Sequence, residues 1–312
     1  MSADTTMTSE PAVAQSNSSL AKAGAWARRA PLLPALIFMI IVTQIPFLAT
    51  VVISFMNWNA YYPNNRGFAG IDNFKTVLTD VDAREAIIVT ILLTVGVVVV
   101  SLVLGLAIAL LLDRKFRGRS VARTLMITPF LIVPVAAALL WKHALYNAQY
   151  GLLNGVLKWV FGDGAPQPDW ISDHPLISII VALVWQWTPF MMLILLAGLQ
   201  SRPMDVVEAA KIDGASGWQI FTNMTLPHLR QYIELSGLLG AIYIVQNFDA
   251  VFTITSGGLG TANLPYYIYE TFYSAHNYGT ASAAGVIVVI GSIIIATFAL
   301  RTVLSLFREE TR

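Results

Sequence analysis

Six long apolar stretches constrain this chain more than any other feature. Each holds about twenty predominantly apolar residues, the length that an α-helix needs to cross a bilayer core. They are residues 33–55, 86–112, 125–144, 176–199, 233–255 and 281–304. Only 12% of the residues are charged, whereas soluble domains carry about twice that share. The sequence therefore predicts an all-α integral membrane protein with six transmembrane helices.

The basic residues predict how these helices are oriented. Of the 19 Lys and Arg residues, 14 fall on the side of the N-terminus: Lys22, Arg28, Arg29, Arg114, Lys115, Arg117, Arg119, Arg123, Arg202, Lys211, Arg230, Arg301, Arg308 and Arg312. The positive-inside rule places this side, with both termini, in the cytoplasm. Residues 1–30 lack the apolar core of a cleavable signal peptide and are predicted to be a disordered cytosolic tail, and residues 308–312 a cytosolic end.

Several functions are disfavoured by what the sequence lacks. There is no cysteine, and the four histidines show no metal-ligand spacing, so no metal site is expected. No phosphate-binding loop of the G-x-x-x-x-G-K-[ST] type occurs, so the chain is not expected to bind ATP itself. No catalytic constellation is present, and a net charge of +1 argues against nucleic acid as a partner. We expect no enzyme activity from this chain.

The most distinctive polar segment is the loop at residues 201–230, between the fourth and fifth apolar stretches. A helix is predicted over residues 205–212, after Pro203, and Gly214 is suited to the left-handed conformation that ends a helix. Ser216 and Gln219 have the spacing of a capping box, which opens a second helix that Pro227 is expected to close. The sequence predicts a helix–turn–helix on the cytosolic surface.

The order of residues in this loop resembles the EAA loop in membrane subunits of binding-protein-dependent ABC importers. The matching residues are Glu208, Ala209, Ala210, Asp213, Gly214, Ala215, Trp218, Phe221 and Pro227. Segments at 70–74, 119–124, 247–249 and 256–258 are similar to the maltose-permease-type branch of these subunits. The resemblance covers about residues 32–306 and implies one transmembrane permease domain over residues 31–307, with the coupling loop at 201–230.

The resemblance also implies an assembly in the bacterial cytoplasmic (inner) membrane. In that family, a second permease subunit completes the pathway, and an extracytoplasmic solute-binding protein delivers the solute. Two ATPase subunits bind ATP and Mg²⁺ and receive the EAA loop in a cleft. No cofactor is then expected on this chain itself. The short helix of the loop has apolar residues that suit such a groove, and Glu208 and Asp213 can pair with basic groups there.

Residues of the third, fourth and fifth apolar stretches are candidates for lining the pathway. Gly240, Tyr243 and Asn247 have the spacing of one helix face. The resemblance places five positions at or beside the sugar: Gln186, Trp187, Phe190, Tyr243 and Asn247. Two further candidates come from the residues themselves, since Gln246 borders the same helix face and Phe130 is expected to border the cavity where prolines distort the third stretch. The bulk of Trp187 favours a smaller or differently shaped ligand. The alternative is that these polar side chains bond to neighbouring helices and the aromatic rings simply pack.

The segments 264–269 and 278–283 are reminiscent of mannitol and sorbitol permeases, which favours a polyol or small saccharide as the solute. An ABC importer for an amino acid, peptide or anion is an alternative. A second alternative is an ion-coupled secondary carrier, which would use an intramembrane acid such as Asp249 or Glu234. Asp249 also fits a structural pair with a neighbouring helix. An intramembrane enzyme is the least favoured reading, since no catalytic set accompanies these acids.

Overall fold

The computed structural model describes residues 30–309 and is mostly helical. The predicted tail at residues 1–30 and the C-terminal end at 308–312 lie almost wholly outside these residues. The chain divides into two units, one ending at Val52 and the other beginning at Ile53. Helix α1 (Leu33–Ser54) belongs to the first unit except for its last two residues; it contains a π-helical turn at Ile40–Gln44, and its side chains are largely exposed.

The second unit opens with a short hairpin and continues as helices. Strand β1 (Met56–Asn57) pairs antiparallel with β2 (Gly67–Phe68), and Met56 lies opposite Phe68. The helices are α2 (Asp72–Thr79), α3 (Val81–Asp113), α4 (Arg119–Leu131), α5 (Pro134–Leu145), α6 (Leu152–Phe161), α7 (Trp170–Asp173), α8 (Pro175–Gln200), α9 (Met204–Ile212), α10 (Gly217–Ile220), α11 (Leu226–Val245), α12 (Asp249–Ile254), α13 (Leu264–Tyr273) and α14 (Tyr278–Glu309).

Helices α3 and α8 pack along each other at the centre of this unit. A Cβ atom at Gly105 of α3 would lie only 3.0 Å from the backbone nitrogen of Met192 on α8, so the absence of a side chain permits this close approach. Leu195 and Leu199 of α8 and Leu229 of α11 are almost completely buried beside this contact. The apolar core therefore fixes α3, α8 and α11 around the ends that carry the predicted cytosolic loop.

Three of the six predicted membrane spans are confirmed as long apolar helices. Within residues 30–309, α1, α3 and α8 are long and apolar enough to cross a membrane. The predicted span 125–144 is instead a bent pair, since α4 and α5 meet at an angle of 97°. Pro134 explains the break, because proline begins a new helix readily and holds the preceding residue, Val133, in an extended conformation.

The predicted single helix over residues 233–255 is wrong. Helix α11 ends at Val245, and α12 starts only at Asp249. Asn247 lies in the break between the two helices, where its side chain accepts a hydrogen bond from the backbone N–H of Ala250 (3.4 Å), so it does not continue α11. The predicted face of Gly240, Tyr243 and Asn247 is wrong for the same reason, since Asn247 lies beyond the end of the helix.

The predicted sixth span, residues 281–304, falls within α14. That helix is apolar over Tyr278–Ile294, a stretch of described residues shorter than a full span. The number of six transmembrane helices therefore stays a prediction.

Candidate solute pathway and surface docking loop

The loop at 201–230 folds as the predicted helix–turn–helix. Helix α9 covers Met204–Ile212, Pro203 stands just before its first turn, and Gly214 has a φ of +84°. Ser216 and Gln219 form both hydrogen bonds of the capping box, at 2.8 and 3.3 Å. These four features lie within a few residues of one another, so local sequence determines them.

Pro227 does not close the second helix, contrary to the sequence prediction. Helix α10 passes into a π-helical turn at Phe221–Thr225, and Pro227 lies in the first turn of α11 directly after it. A π-helical turn shifts the hydrogen-bond register, so the missing N–H of Pro227 falls where a helix tolerates it. The second helix of the loop therefore runs directly into α11.

Arg202 attaches this loop to the membrane helices. Its guanidinium donates to Asp113 Oδ2 at the end of α3 (2.8 Å), to Thr225 Oγ1 in the π-helical turn (2.8 Å) and to the backbone oxygen of Leu199 on α8 (2.9 Å). The Arg202 side chain is only 14% exposed. One side chain thus joins three elements, although the sequence marked it only as one basic residue among many. The sequence signal available was the pair of opposite charges, Asp113 and Arg202, which follow two predicted spans on the same side of the membrane.

A second set of polar contacts supports the same junction. The hydroxyl of Ser201 lies 3.2 Å from His228 Nε2 and 2.8 Å from Tyr232 Oη. His228 Nε2 also lies 3.1 Å from the backbone oxygen of Gly198. These contacts hold the start of the loop against α11, so the loop leaves α8 in a fixed direction.

The side of the loop that does not pack against the helices is exposed. Ile212 is 87% exposed and Trp218 is 72% exposed, which is unusual for side chains of this size. Glu208 and Asp213 are also exposed, and neither forms an ion pair with another described residue. Val207 instead packs inward. The rings of Trp218 and Phe221 lie 5.7 Å apart, which gives the face an aromatic edge.

Four of the predicted pathway residues come together as an aromatic cluster of Phe130, Trp187, Phe190 and Tyr243. Phe130 stacks on Phe190 with ring centroids 5.3 Å apart, and Trp187 lies 5.6 Å from Phe130 and 5.2 Å from Tyr243. Tyr243 is 55% exposed and the other three rings are half-buried. The cluster therefore offers aromatic faces and one hydroxyl at the surface of this unit.

Gln186 and Asn247 lie apart from the aromatic cluster. Gln186 is buried and donates from Nε2 to the backbone oxygen of Ile132, at the break between α4 and α5 (3.2 Å). The backbone oxygen of Asn247 accepts from Asn263 Nδ2 at 2.5 Å. Both side chains line a cavity of about 10 Å³, which is room for one water at most and not for a sugar. In this structure both side chains support helix breaks.

The two remaining candidates from the fifth apolar stretch occupy different positions. Gln246 is exposed at the C-terminal end of α11. Asp249 is half-buried in the first turn of α12, where the helix dipole favours a negative charge, and it forms no ion pair among residues 30–309. Neither side chain hydrogen-bonds to a residue of the aromatic cluster.

Curated proteins with similar sequences are membrane subunits of transporters. The chain is 36% identical over 262 residues to the probable ABC transporter permease protein y4oQ of Sinorhizobium fredii, covering 83% of this chain and 84% of that protein. It is 33% identical over 255 residues to the trehalose transport system permease protein SugA of Mycobacterium tuberculosis (82% and 81% covered). Identity to the trehalose/maltose transport system permease protein MalF of Thermococcus litoralis is 32% over 259 residues (82% and 86% covered).

A solved structure has a similar fold. The bacterial ABC transporter involved in the import of the acidic polysaccharide alginate has a chain that superposes with a TM-score of 0.77 at 22% identity, covering 90% of this chain and 96% of that chain. At this level of identity, the likeness concerns the fold alone.

Three helices of the described residues are long and apolar enough to cross a membrane, which defines the chain as an integral membrane protein. Residues 101–306 match the family of binding-protein-dependent transport system inner membrane components, and the chain belongs to this family. The resemblance to ABC importer permeases of the maltose-permease type is thereby confirmed.

Proposed function

We propose that this chain is one permease subunit of an ABC importer that translocates a small neutral saccharide or a polyol of the mannitol or sorbitol type. The aromatic cluster of Phe130, Trp187, Phe190 and Tyr243 carries the proposal. Aromatic faces pack against the C–H surfaces of a sugar, and a few polar groups fix its hydroxyls. The names of relatives that transport trehalose and maltose support a sugar as the solute.

The remaining parts of the machine are proposed as partners. A second permease subunit covers the exposed edge of the aromatic cluster, and an extracytoplasmic binding protein delivers the solute. Two ATPase subunits hold ATP and Mg²⁺ and receive the loop through Ile212, Trp218 and the acidic residues Glu208 and Asp213. Because Arg202 joins the loop to α3 and α8, movement of the ATPases is transmitted to the membrane helices.

The proposal is tested by purifying the tagged chain with its partners and measuring ATP-dependent uptake of labelled saccharides and polyols into liposomes. We expect Tyr243→Ala and Trp187→Ala each to change either the apparent affinity for the solute or the ratio of uptake between two solutes at least tenfold, since each removes an aromatic face. Tyr273→Ala is the matched control, because Tyr273 is an exposed tyrosine of α13 outside the cluster.

Each negative outcome has a distinct meaning. Uptake without ATP by the chain alone would replace the importer with an ion-coupled carrier and would make Asp249 the next residue to change. Uptake that needs ATP but carries an amino acid or an anion would keep the importer and overturn the saccharide. Unchanged solute preference in both aromatic variants would remove the cluster from the pathway.

A further inference from the structure

A polar pocket lies at the basic membrane surface, apart from the aromatic cluster. Its volume is about 640 Å³, and it is formed by the adjoining ends of α3, α4 and α8 and the start of α9. The lining side chains that matter here are Lys115, Arg119, Arg123, Gln200 and Asp113. Because α3 and α8 are membrane-spanning helices that end at this pocket, it lies at the depth of the lipid headgroups.

The pocket carries a net positive charge. Lys115, Arg119 and Arg123 contribute three cations, whereas Asp113 is the one acid in the lining. Asp113 Oδ2 is already paired with Arg202 at 2.8 Å. The lining therefore has no carboxylate left to neutralise Arg119 and Arg123, and an anion is favoured there.

Arg119 and Arg123 are held side by side with unused donors. They are one helical turn apart on α4, and a terminal atom of the Gln200 amide lies 2.9 Å from an Nη2 atom of each; the hydrogen-bond network assigns this atom as the oxygen, which accepts from both. A neutral amide balances neither charge. The Nε atoms of both arginines are buried and have no acceptor within the described part of the chain. These buried Nε atoms are closed to a ligand, so the groups that match the oxygen atoms of a phosphate are the Nη donors of two adjacent guanidinium groups that meet no carboxylate among the described residues.

A separate apolar groove of about 500 Å³ is lined by the same three helices. Each helix contributes one residue to the pocket and another to the groove: Asp113 and Ile108 on α3, Arg123 and Met126 on α4, Gln200 and Met192 on α8. At a rise of about 1.5 Å per residue, the groove begins about one helical turn deeper in the membrane than the arginines. Its lining is mainly apolar, so it suits a hydrocarbon chain.

The groove also lies on the opposite face of α8 from the solute pathway. Trp185 and Thr188 line the groove, whereas Trp187 and Phe190 belong to the aromatic cluster. An occupant of the groove therefore does not enter the pathway.

We propose that the pocket and the groove together bind one anionic phospholipid, with its phosphate on Arg119 and Arg123 and an acyl chain against Met126 and Ile108. A basic pocket between membrane helices, with an apolar groove deeper along the same helices, is the arrangement that matches both halves of such a lipid. The inference does not depend on which solute the protein transports.

The test uses the full-length chain with the subunits that copurify, stripped of lipid in detergent and titrated with phosphatidylglycerol. Native mass spectrometry counts the bound lipids. We expect Arg119→Gln with Arg123→Gln to weaken binding at least about 25-fold, because each change removes charge-assisted hydrogen bonds to the phosphate. Arg114→Gln with Arg117→Gln removes the same charge from exposed residues outside the pocket and is expected to change binding less than threefold.

A second variant keeps every charge. Met126 is 44% exposed in the groove, so Met126→Trp fills the groove without altering the arginines. We expect this variant to bind phosphatidylglycerol at least fivefold more weakly and to elute from gel filtration as the parent does. Phosphatidylcholine is expected to bind the parent at least tenfold more weakly than phosphatidylglycerol.

Four results would overturn the proposal. Equal losses in the two double variants would mean diffuse surface attraction, and equal binding of phosphatidylcholine would mean no headgroup recognition. Displacement of the lipid by a hundredfold excess of glycerol phosphate would make the pocket a site for a soluble phosphate. A cross-linker placed at position 126 that captures a helix of another subunit, and not lipid, would assign the groove to a protein partner.

Discussion

The surface loop at 201–230 and the interrupted helices in the core are stabilised in different ways. The loop is exposed and is organised by residues close together in sequence, with Arg202 as its main tie to the membrane helices. The breaks at 132–133 and 246–248 are held by amides from distant elements, Gln186 of α8 and Asn263 before α13. A change in the loop should therefore leave the pathway intact, whereas a change at a break should alter the pathway and spare the loop.

The largest effect is expected at Arg202, which joins the loop to the membrane helices. Arg202→Ala leaves Asp113 without its partner at a site where both side chains are mostly buried, so we expect a loss of about 3 kcal/mol in the stability of the loop junction. Hydrogen exchange of residues 204–225 measures this loss. Arg230→Ala is the control, because the Arg230–Glu234 pair has its arginine 61% exposed and contributes little. Equal exchange in both variants would mean that Arg202 does not anchor the loop.

A smaller effect is expected at the turn of the loop. Gly214 has a φ of +84°, and a β-branched residue there costs about 2 kcal/mol. Gly214→Val should therefore increase exchange in α9 and reduce the ATPase subunit that copurifies, with solute preference unchanged.

Gly217→Val is the matched control for this turn. It places the same side chain in the same loop, where there is open space and the backbone is not left-handed. If the ATPase subunit copurifies fully with the Gly214→Val variant, this turn does not take part in binding the ATPase subunit.

A loss of about 1 kcal/mol is expected at the break between α4 and α5. Gln186→Leu removes the donor that satisfies the backbone oxygen of Ile132, and an unsatisfied carbonyl is costly in a membrane protein. The melting temperature of the purified protein measures the change, and Gln246→Leu is an exposed control. Reduced solute affinity with an unchanged melting temperature would instead return Gln186 to the pathway.

The smallest effect concerns pH at the contact between α13 and the start of α3. Tyr267 Oη donates to Asp80 Oδ2 at 2.7 Å, and burial, followed by this hydrogen bond, raises the pKa of Tyr267 above its usual value of 10.0. A raised pKa favours the neutral tyrosine in the folded state, so the contribution to stability is complete below pH 10 and declines as the pH rises above it.

Absorbance of tyrosinate checks this prediction. Relative to the parent, the titration of Tyr267→Phe should lack one tyrosine that ionises well above pH 10. In Asp80→Asn, that tyrosine should ionise at a lower pH than in the parent. A parent titration that Tyr267→Phe leaves unchanged would contradict the role of burial.

The two regions also differ in how far their structure could be predicted. Gly214 and the Ser216–Gln219 capping box act over a few residues, so the sequence alone predicted the turn and both helix boundaries around it. The break at Asn247 depends on Asn263, sixteen residues away, and the role of Gln186 depends on a carbonyl on another helix. Spacing rules assume that a helix continues, so they placed Gly240, Tyr243 and Asn247 on one face. The resemblance named Trp187, Phe190 and Tyr243 as separate pathway candidates, and their contact with one another and with Phe130 is seen only in the structure.

The close contact between Gly105 and Met192 determines where this subunit can bend. Backbones packed this tightly do not slide past each other, since any axial shift would bring a larger residue of α3 against α8. Helices α3 and α8 therefore move as one rigid body when the loop displaces Arg202. Bending is then confined to the two positions where backbone hydrogen bonding is already interrupted, residues 132–133 and 246–248, next to the small cavity that Pro134 and Asn247 both line.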